Sequence, residues 1–166
     1  TARGTVENID HQTANLGNFD GITINNNIGT GYGTVVGFDG AGKRNSVQIR
    51  QRVYVTGGMD HSIDGSITLA ESGTTRTASG TLTVYHNKVK VVATTTFTNV
   101  VYNDTACTPV SGSISTSFAA GTNVSPTAIG SLLVGKSETL TFNGDGTATF
   151  VNYNGDSSTV ALTHCY

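Results

Sequence analysis

Apolar residues recur at every second position along most of the chain after Thr30. In one run Ile63, Ile67 and Leu69 alternate with serine, threonine and aspartate. In residues 88–102 the same alternation places Val91, Ala93, Phe97 and Val101 on one side. A period of two puts successive side chains on opposite faces of a β-strand. The pattern therefore predicts many strands, each with one apolar face and one face rich in hydroxyl groups.

Turn sequences separate these runs at short intervals. Glycine, asparagine and aspartate supply the positive φ angles that tight hairpins require. Between residues 119 and 135 the alternation stops, and we expect a long loop there with one short helical turn near residues 126–133. Hairpin turns are expected at residues 71–73, at Asn87, and at residues 143–146 and 154–156.

Strands that follow one another so closely along a chain favour an antiparallel sheet. We predict an all-β fold in which an antiparallel meander over residues 31–166 forms a β-sandwich or a barrel-like domain. Residues 1–30 are polar and rich in asparagine and glycine. We expect them to form an N-terminal arm that packs on its own domain or on a neighbouring subunit.

The composition is typical of an exported protein. Charged residues make up 12% of the chain, about half the usual share, and nine Lys and Arg stand against eleven Asp and Glu. This balance offers no basic surface for nucleic acid, and no apolar run is long enough to be a transmembrane segment. The chain begins with threonine, which a removed signal peptide would explain and a shortened chain would explain equally well. We expect that a signal peptide has been removed and that the protein is extracellular or on the cell surface.

Two cysteines are present, Cys107 and Cys165, and no other cysteine stands at metal-ligand spacing from them. In an oxidising compartment such a pair forms a disulfide. The bond would join the last strand to the beginning of the strand near Val110, and on the chain-entropy model it would stabilise the fold by roughly 4 kcal/mol. The alternative is two buried thiols in a cytosolic protein.

The densest group of candidate ligand residues follows a pair of glycines at residues 57–58. Asp60, His61 and Asp64 lie within five positions, and oxygen ligands on a loop suit calcium. Their spacing matches no calcium-binding motif, so the alternative is a polar connection between strands.

Tyr54 and Tyr85 fall on the polar faces of their strands, where an exposed ring can stack on a sugar. The alternative is that they cover the edge of the core.

No catalytic motif is recognisable. The four histidines, His11, His61, His86 and His164, are dispersed, and none has the HxH or HExxH spacing of metal sites. No serine lies in a nucleophile elbow, and the scarcity of glutamate leaves little material for a glycosidase carboxylate pair. We therefore predict no catalytic residues, no metal and no cofactor, and we expect that the protein is not an enzyme.

Four segments of the C-terminal half carry a resemblance to other proteins: residues 79–87 (SGTLTVYHN), 107–114 (CTPVSGSI), 138–142 (ETLTF) and 162–165 (LTHC). In these segments the chain resembles a group of uncharacterised bacterial secreted proteins and lipoproteins. The resemblance implies an envelope or exported location. It brings no activity and no site residues.

These observations favour a structural or adhesive surface protein over an enzyme. We expect a homo-oligomer in which residues 1–30 add a strand to a neighbour's sheet, with the subunit of an extracellular fibre as its most specific form. The alternative is a monomeric module that binds a glycan or another small molecule through Tyr54, Tyr85, Asp60, His61 or Asp64. In both cases a glycan or another cell-surface ligand is a candidate partner.

Overall fold

The computed structural model describes residues 6–9, 23–25, 33–38, 44–55, 60–103, 105–106 and 108–162. Within these residues the protein has eleven strands and one short helix, which confirms the predicted all-β class. The strands are β1 Val6–Ile9, β2 Thr23–Asn25, β3 Gly33–Phe38, β4 Arg44–Val55, β5 Asp60–Ser72, β6 Thr75–His86, β7 Val91–Asn103, β8 Ser111–Ala120, β9 Ser137–Phe142, β10 Thr147–Val151 and β11 Ser157–Ala161. The helix is α1 Ala128–Ser131, inside the loop where one helical turn is predicted.

All eleven strands belong to one antiparallel sheet. From β3 to β11 each strand pairs with the next along the chain, as in the predicted meander. β1 pairs with β3, and β2 pairs with β4 beyond the end of β3. Among the described strands, β1 and β11 therefore form the two ends of the sheet. Closure into a sandwich or a barrel-like domain stays a prediction, and Cys107 and Cys165 lie outside the described residues.

The predicted turns join neighbouring strands of the meander. The chain reverses after Ser72 and again after His86, where Asn87 begins the turn into β7. In the turn at residues 143–146, Asp145 Oδ1 accepts hydrogen bonds from Oγ1 and N of Thr147, at 2.6 Å and 2.9 Å. These bonds hold the pKa of Asp145 below its ordinary value. The carboxylate thus helps to close the hairpin between β9 and β10.

Cross-strand neighbours divide the sheet into an apolar face and a hydroxyl face. On the hydroxyl face, one row runs from β7 to β11 through serine and threonine side chains alone; its members are Thr98, Ser113, Thr141, Thr149 and Thr159. On the apolar face, Ala78, Val100, Phe142 and Ala148 form a buried cluster that unites β6, β7, β9 and β10. Removing the apolar surface of that cluster from water stabilises this end of the sheet.

A β-bulge in β7 determines which residues reach the apolar face. Thr98 and Asn99 together lie opposite the single residue Ser79 of β6. Ser79 Oγ accepts a hydrogen bond from Asn99 N and donates one to Asn99 Oδ1, both at 3.2 Å. Asn99 has a φ of 46°, in the left-handed region that asparagine tolerates. The extra residue shifts the alternation by one position for the rest of the strand.

The bulge overturns one sequence prediction. Simple alternation places Val101 on the apolar side with Val91, Ala93 and Phe97. That prediction is wrong, because Val100 is the residue that becomes fully buried. Val101 pairs instead with Thr77 and Ser111 on the hydroxyl face. A pattern with a strict period of two cannot reveal an inserted residue.

Gly112 of β8 lies against the bulge from the other side, and its replacement provides a test. Its φ is 94°, and a Cβ there would collide with the Asn99 carbonyl and lie 2.7 Å from Val100 Cα. We expect Gly112→Ala to lower the free energy of unfolding by about 2–3 kcal/mol, because strain and collision add. Gly73→Ala is the matched control: its φ is also positive, at 59°, but nothing lies within 4 Å. It should cost about 1 kcal/mol.

Urea denaturation monitored by circular dichroism measures both losses. Equal losses for the two variants would show that no close approach exists at Gly112.

Candidate functional site

The hairpin of β5 and β6 brings two histidines together. His61 and His86 are register partners in an unbroken ladder that extends back to the pair Ser72 and Thr75 beside the turn. His86 pairs on its other side with Val91 of β7. Because direct cross-strand partners point to the same face of a sheet, these three side chains share the apolar face.

The two imidazoles are in direct contact. His86 Nδ1 lies 2.9 Å from His61 Nε2, and one nitrogen donates while the other accepts, according to the tautomer of each ring. The ring planes make an angle of 75°, and the ring centroids are 4.2 Å apart. In a head-on pair each ring centroid would lie directly behind its nitrogen, and the centroids would be much farther apart than the nitrogens. Here the difference between the two distances is only 1.3 Å (4.2 − 2.9), so the rings do not meet head-on. The two nitrogens approach each other obliquely.

Apolar packing beside the pair explains why His86 is harder to protonate. Val91 is fully buried, and a Cβ on Gly130 of α1 would lie 2.8 Å from Val91 Cγ2. Thr127 caps α1 by accepting a hydrogen bond from Gly130 N, and its own N donates to Val89 O. Burial lowers the pKa of His86, and the neighbouring His61 lowers it further.

A second polar contact closes the end of the same hairpin. Asn87 Nδ2 donates to Asp60 Oδ1 at 2.6 Å, and Asn87 N donates to Asp60 O at 2.8 Å. Asp60 precedes His61 in β5, so its side chain projects to the opposite face. The carboxylate therefore supports the hairpin end and does not join the imidazoles.

The residues predicted as ligands are spread over both faces. Asp64 and Tyr85 belong to the hydroxyl face with Asp60, whereas His61 lies on the apolar face. A Cβ on Gly121 would lie 2.7 Å from Tyr85 Cε2, so one side of that ring is covered by backbone. The backbone of Tyr54 pairs with His61. The described side chains of this set thus do not line one common pocket.

The structure adds His86, which sequence reasoning did not select as a site residue. In the described part of the chain no group of three or more His, Cys, Asp or Glu is arranged to hold a metal ion. None of the described helices has the length and apolarity to cross a membrane. The distinctive chemical feature of these residues is therefore the pair of imidazoles.

Comparison of the chain with protein-family models, with curated proteins and with solved structures found no match. The fold alone defines the class, an antiparallel all-β protein with a single meander sheet among the described residues. The likeness of the C-terminal half to bacterial exported proteins stays a prediction.

The lowered pKa of His86 predicts an acid-sensitive hairpin. At a pH well above its ordinary pKa of 6.5 the residue is neutral in both the folded and the unfolded chain. As the pH falls below 6.5, the unfolded chain takes up the proton first, so the free energy of unfolding decreases. We expect the urea midpoint to fall between pH 7 and pH 5.5, and the fall to be smaller in His86→Gln. The same pH dependence in both proteins would contradict this prediction.

Proposed function

We propose that the protein is an exported, non-catalytic structural or adhesive protein whose copies join through the edges of their sheets. In its most specific form the proposal is a subunit of an extracellular fibre. The observation that supports it best is the exposed edge strand β11, which lies at one end of the sheet among the described strands. Among the described strands β11 pairs only with β10.

Within Ser157–Ala161, the edge strand β11 carries neither of the residue types that most often prevent strand addition. All five residues of Ser157–Ala161 are exposed, and none of them is charged or a proline. Exposed edge strands usually carry lysine, proline or a bulge, because free N–H and C=O groups bind other strands. This strand is therefore suited to accept a strand from another chain.

The strand order suits a head-to-tail contact between copies. Ten of the eleven strands lie in one path from β1 to β11, and all neighbours are antiparallel. An even number of alternating strands makes β1 and β11 run in opposite directions. A following copy in the same orientation would thus place its β1 antiparallel to β11. Such a contact uses two different surfaces and can repeat without closing, as a fibre requires.

The arm predicted at residues 1–30 fits this arrangement. It contains β1 and β2, and β1 is the strand at the far end of the sheet from β11. The low share of charged residues, 12%, keeps repulsion between identical copies weak. The serine and threonine row of the hydroxyl face also reaches β11 without a charged side chain.

A charge at the edge should hinder assembly. Thr159 of β11 lies in the same row as Thr141 of β9, and both are exposed on the hydroxyl face. We expect Thr159→Lys to raise the concentration needed for assembly by roughly fivefold or more, the effect of about 1 kcal/mol. Thr141→Lys adds the same charge two strands inside the sheet and should leave assembly unchanged. Sedimentation and electron microscopy measure both.

A chain that lacks residues 1–20 extends the test to the opposite edge, since it loses β1. Loss of assembly supports the proposal. A native protein that stays monomeric at every concentration contradicts it, and favours a closed sheet or the monomeric glycan- or small-molecule-binding module.

The disulfide between Cys107 and Cys165 belongs to the same proposal of an exported protein. Pro109, two residues after Cys107, is buried, and Leu162, three residues before Cys165, packs on the core cluster. Leu162 N also donates to Gly146 O at 2.9 Å. A bond between the two cysteines would attach the C-terminal segment to the segment that precedes β8.

Mass spectrometry checks the bond directly. We expect protein prepared from an oxidising compartment to resist alkylation until it is reduced, and then to take up two alkyl groups. Reduction should lower the free energy of unfolding by roughly 4 kcal/mol. Alkylation of both cysteines without reduction, in protein that is still folded, would contradict the bond.

A further inference from the structure

We propose that His61 and His86 form a binding site for a divalent transition-metal ion that prefers nitrogen ligands. Cu²⁺ should bind ahead of Ni²⁺ and Zn²⁺, in line with the general order of affinities for such ligands. The two imidazoles would supply the protein ligands, and water would complete the coordination.

The separation of the two nitrogens suits a shared metal ion. Metal–nitrogen bonds to histidine are about 2.0–2.1 Å long, so two ligands at a right angle lie about 2.9 Å apart and two at a tetrahedral angle about 3.3 Å apart. His86 Nδ1 and His61 Nε2 are 2.9 Å apart. Little movement of either ring would be needed to accept an ion.

The orientation of the rings is also suitable. In a head-on hydrogen bond, both rings would point along the line that joins the two nitrogens. The centroid separation of 4.2 Å is too short for that arrangement, so at least one ring is inclined to that line. Small rotations of the rings could direct the lone pairs of both nitrogens toward one point beside the pair. A metal ion at that point would replace the proton that the two rings share.

The backbone holds the pair in place before any ion binds. Both residues lie within one unbroken antiparallel ladder, and β7 extends that ladder beyond His86. Because strands fix the two Cα positions, binding would order few additional torsion angles. Both side chains are half-buried, so water can reach the site to complete the coordination.

The donor set selects among metals. Calcium and magnesium need several oxygen ligands, but the nearby carboxylate of Asp60 projects to the other face and is hydrogen-bonded to Asn87. Two neutral nitrogens suit copper, nickel and zinc. The calcium site considered from the sequence around Asp60 and Asp64 is therefore a poorer match to the structure than a nitrogen site at His61.

Titration of the full-length protein with Cu²⁺ tests the proposal. We expect one ion per chain at this site, with an electron paramagnetic resonance spectrum that shows splitting by two histidine nitrogens. His61→Ala and His86→Ala should each weaken binding by at least about tenfold, since even the loss of a group that only supports a ligand costs that much. His164→Ala is the control and should leave the affinity unchanged.

Unchanged copper affinity in either His61→Ala or His86→Ala would overturn the proposal, since both rings are required. If a variant does not fold, the native protein still decides the question. Cu²⁺ should protect His61 and His86 from acylation by diethylpyrocarbonate, as read by mass spectrometry of peptides. Equal modification of both residues with and without Cu²⁺ would show that the rings are only hydrogen-bonded to each other.

Discussion

The bulge at Thr98 and Asn99 is the constraint on which the rest of the sheet depends. It shifts the alternation of the long strand β7 by one position, so that Val100, and not Val101, lies on the same face as Phe97. At one end Val100 enters the buried cluster with Ala78. At the other end Val91 becomes the buried neighbour of the histidine pair. Without the inserted residue, Val101 and not Val100 would lie on the apolar face.

Much of the fold could be predicted from the sequence because its signals are local. Alternation predicted the strands, and glycine and asparagine predicted the turns. The short helix α1 also lies where it was expected, between residues 126 and 133. The bulge could not be predicted in this way, since Val100 and Val101 are adjacent and equally apolar. Asn99 was the one local signal, because asparagine tolerates the left-handed conformation.

The histidine pair could have been found from the sequence by a different route. In the hairpin of β5 and β6, partners are symmetric about the turn at Gly73, and no bulge interrupts the ladder. Counting outward from that turn assigns His86 as the partner of His61. Spacing motifs could not reveal the pair, because they describe residues on one strand or helix. The contact depends on register, which the turn sets.

The proposed assembly and the proposed metal site depend on different parts of the sheet. The assembly would use β1 and β11, which are the ends of the sheet among the described strands, whereas the metal site would use two side chains near its middle. Both require that the strands keep the described register. The regular ladder holds the side chains of the described strands in fixed positions, which is what the proposed metal site requires.

The register of β7 is therefore the claim to test most directly, by comparing Val100→Ala with Val101→Ala. Val100 is fully buried in the core cluster, whereas Val101 is half-buried among hydroxyl side chains. We expect Val100→Ala to lower the free energy of unfolding by about 2–3 kcal/mol and Val101→Ala by about 1 kcal/mol or less. Equal losses, or a larger loss for Val101→Ala, would show that the bulge is absent and would contradict the described register.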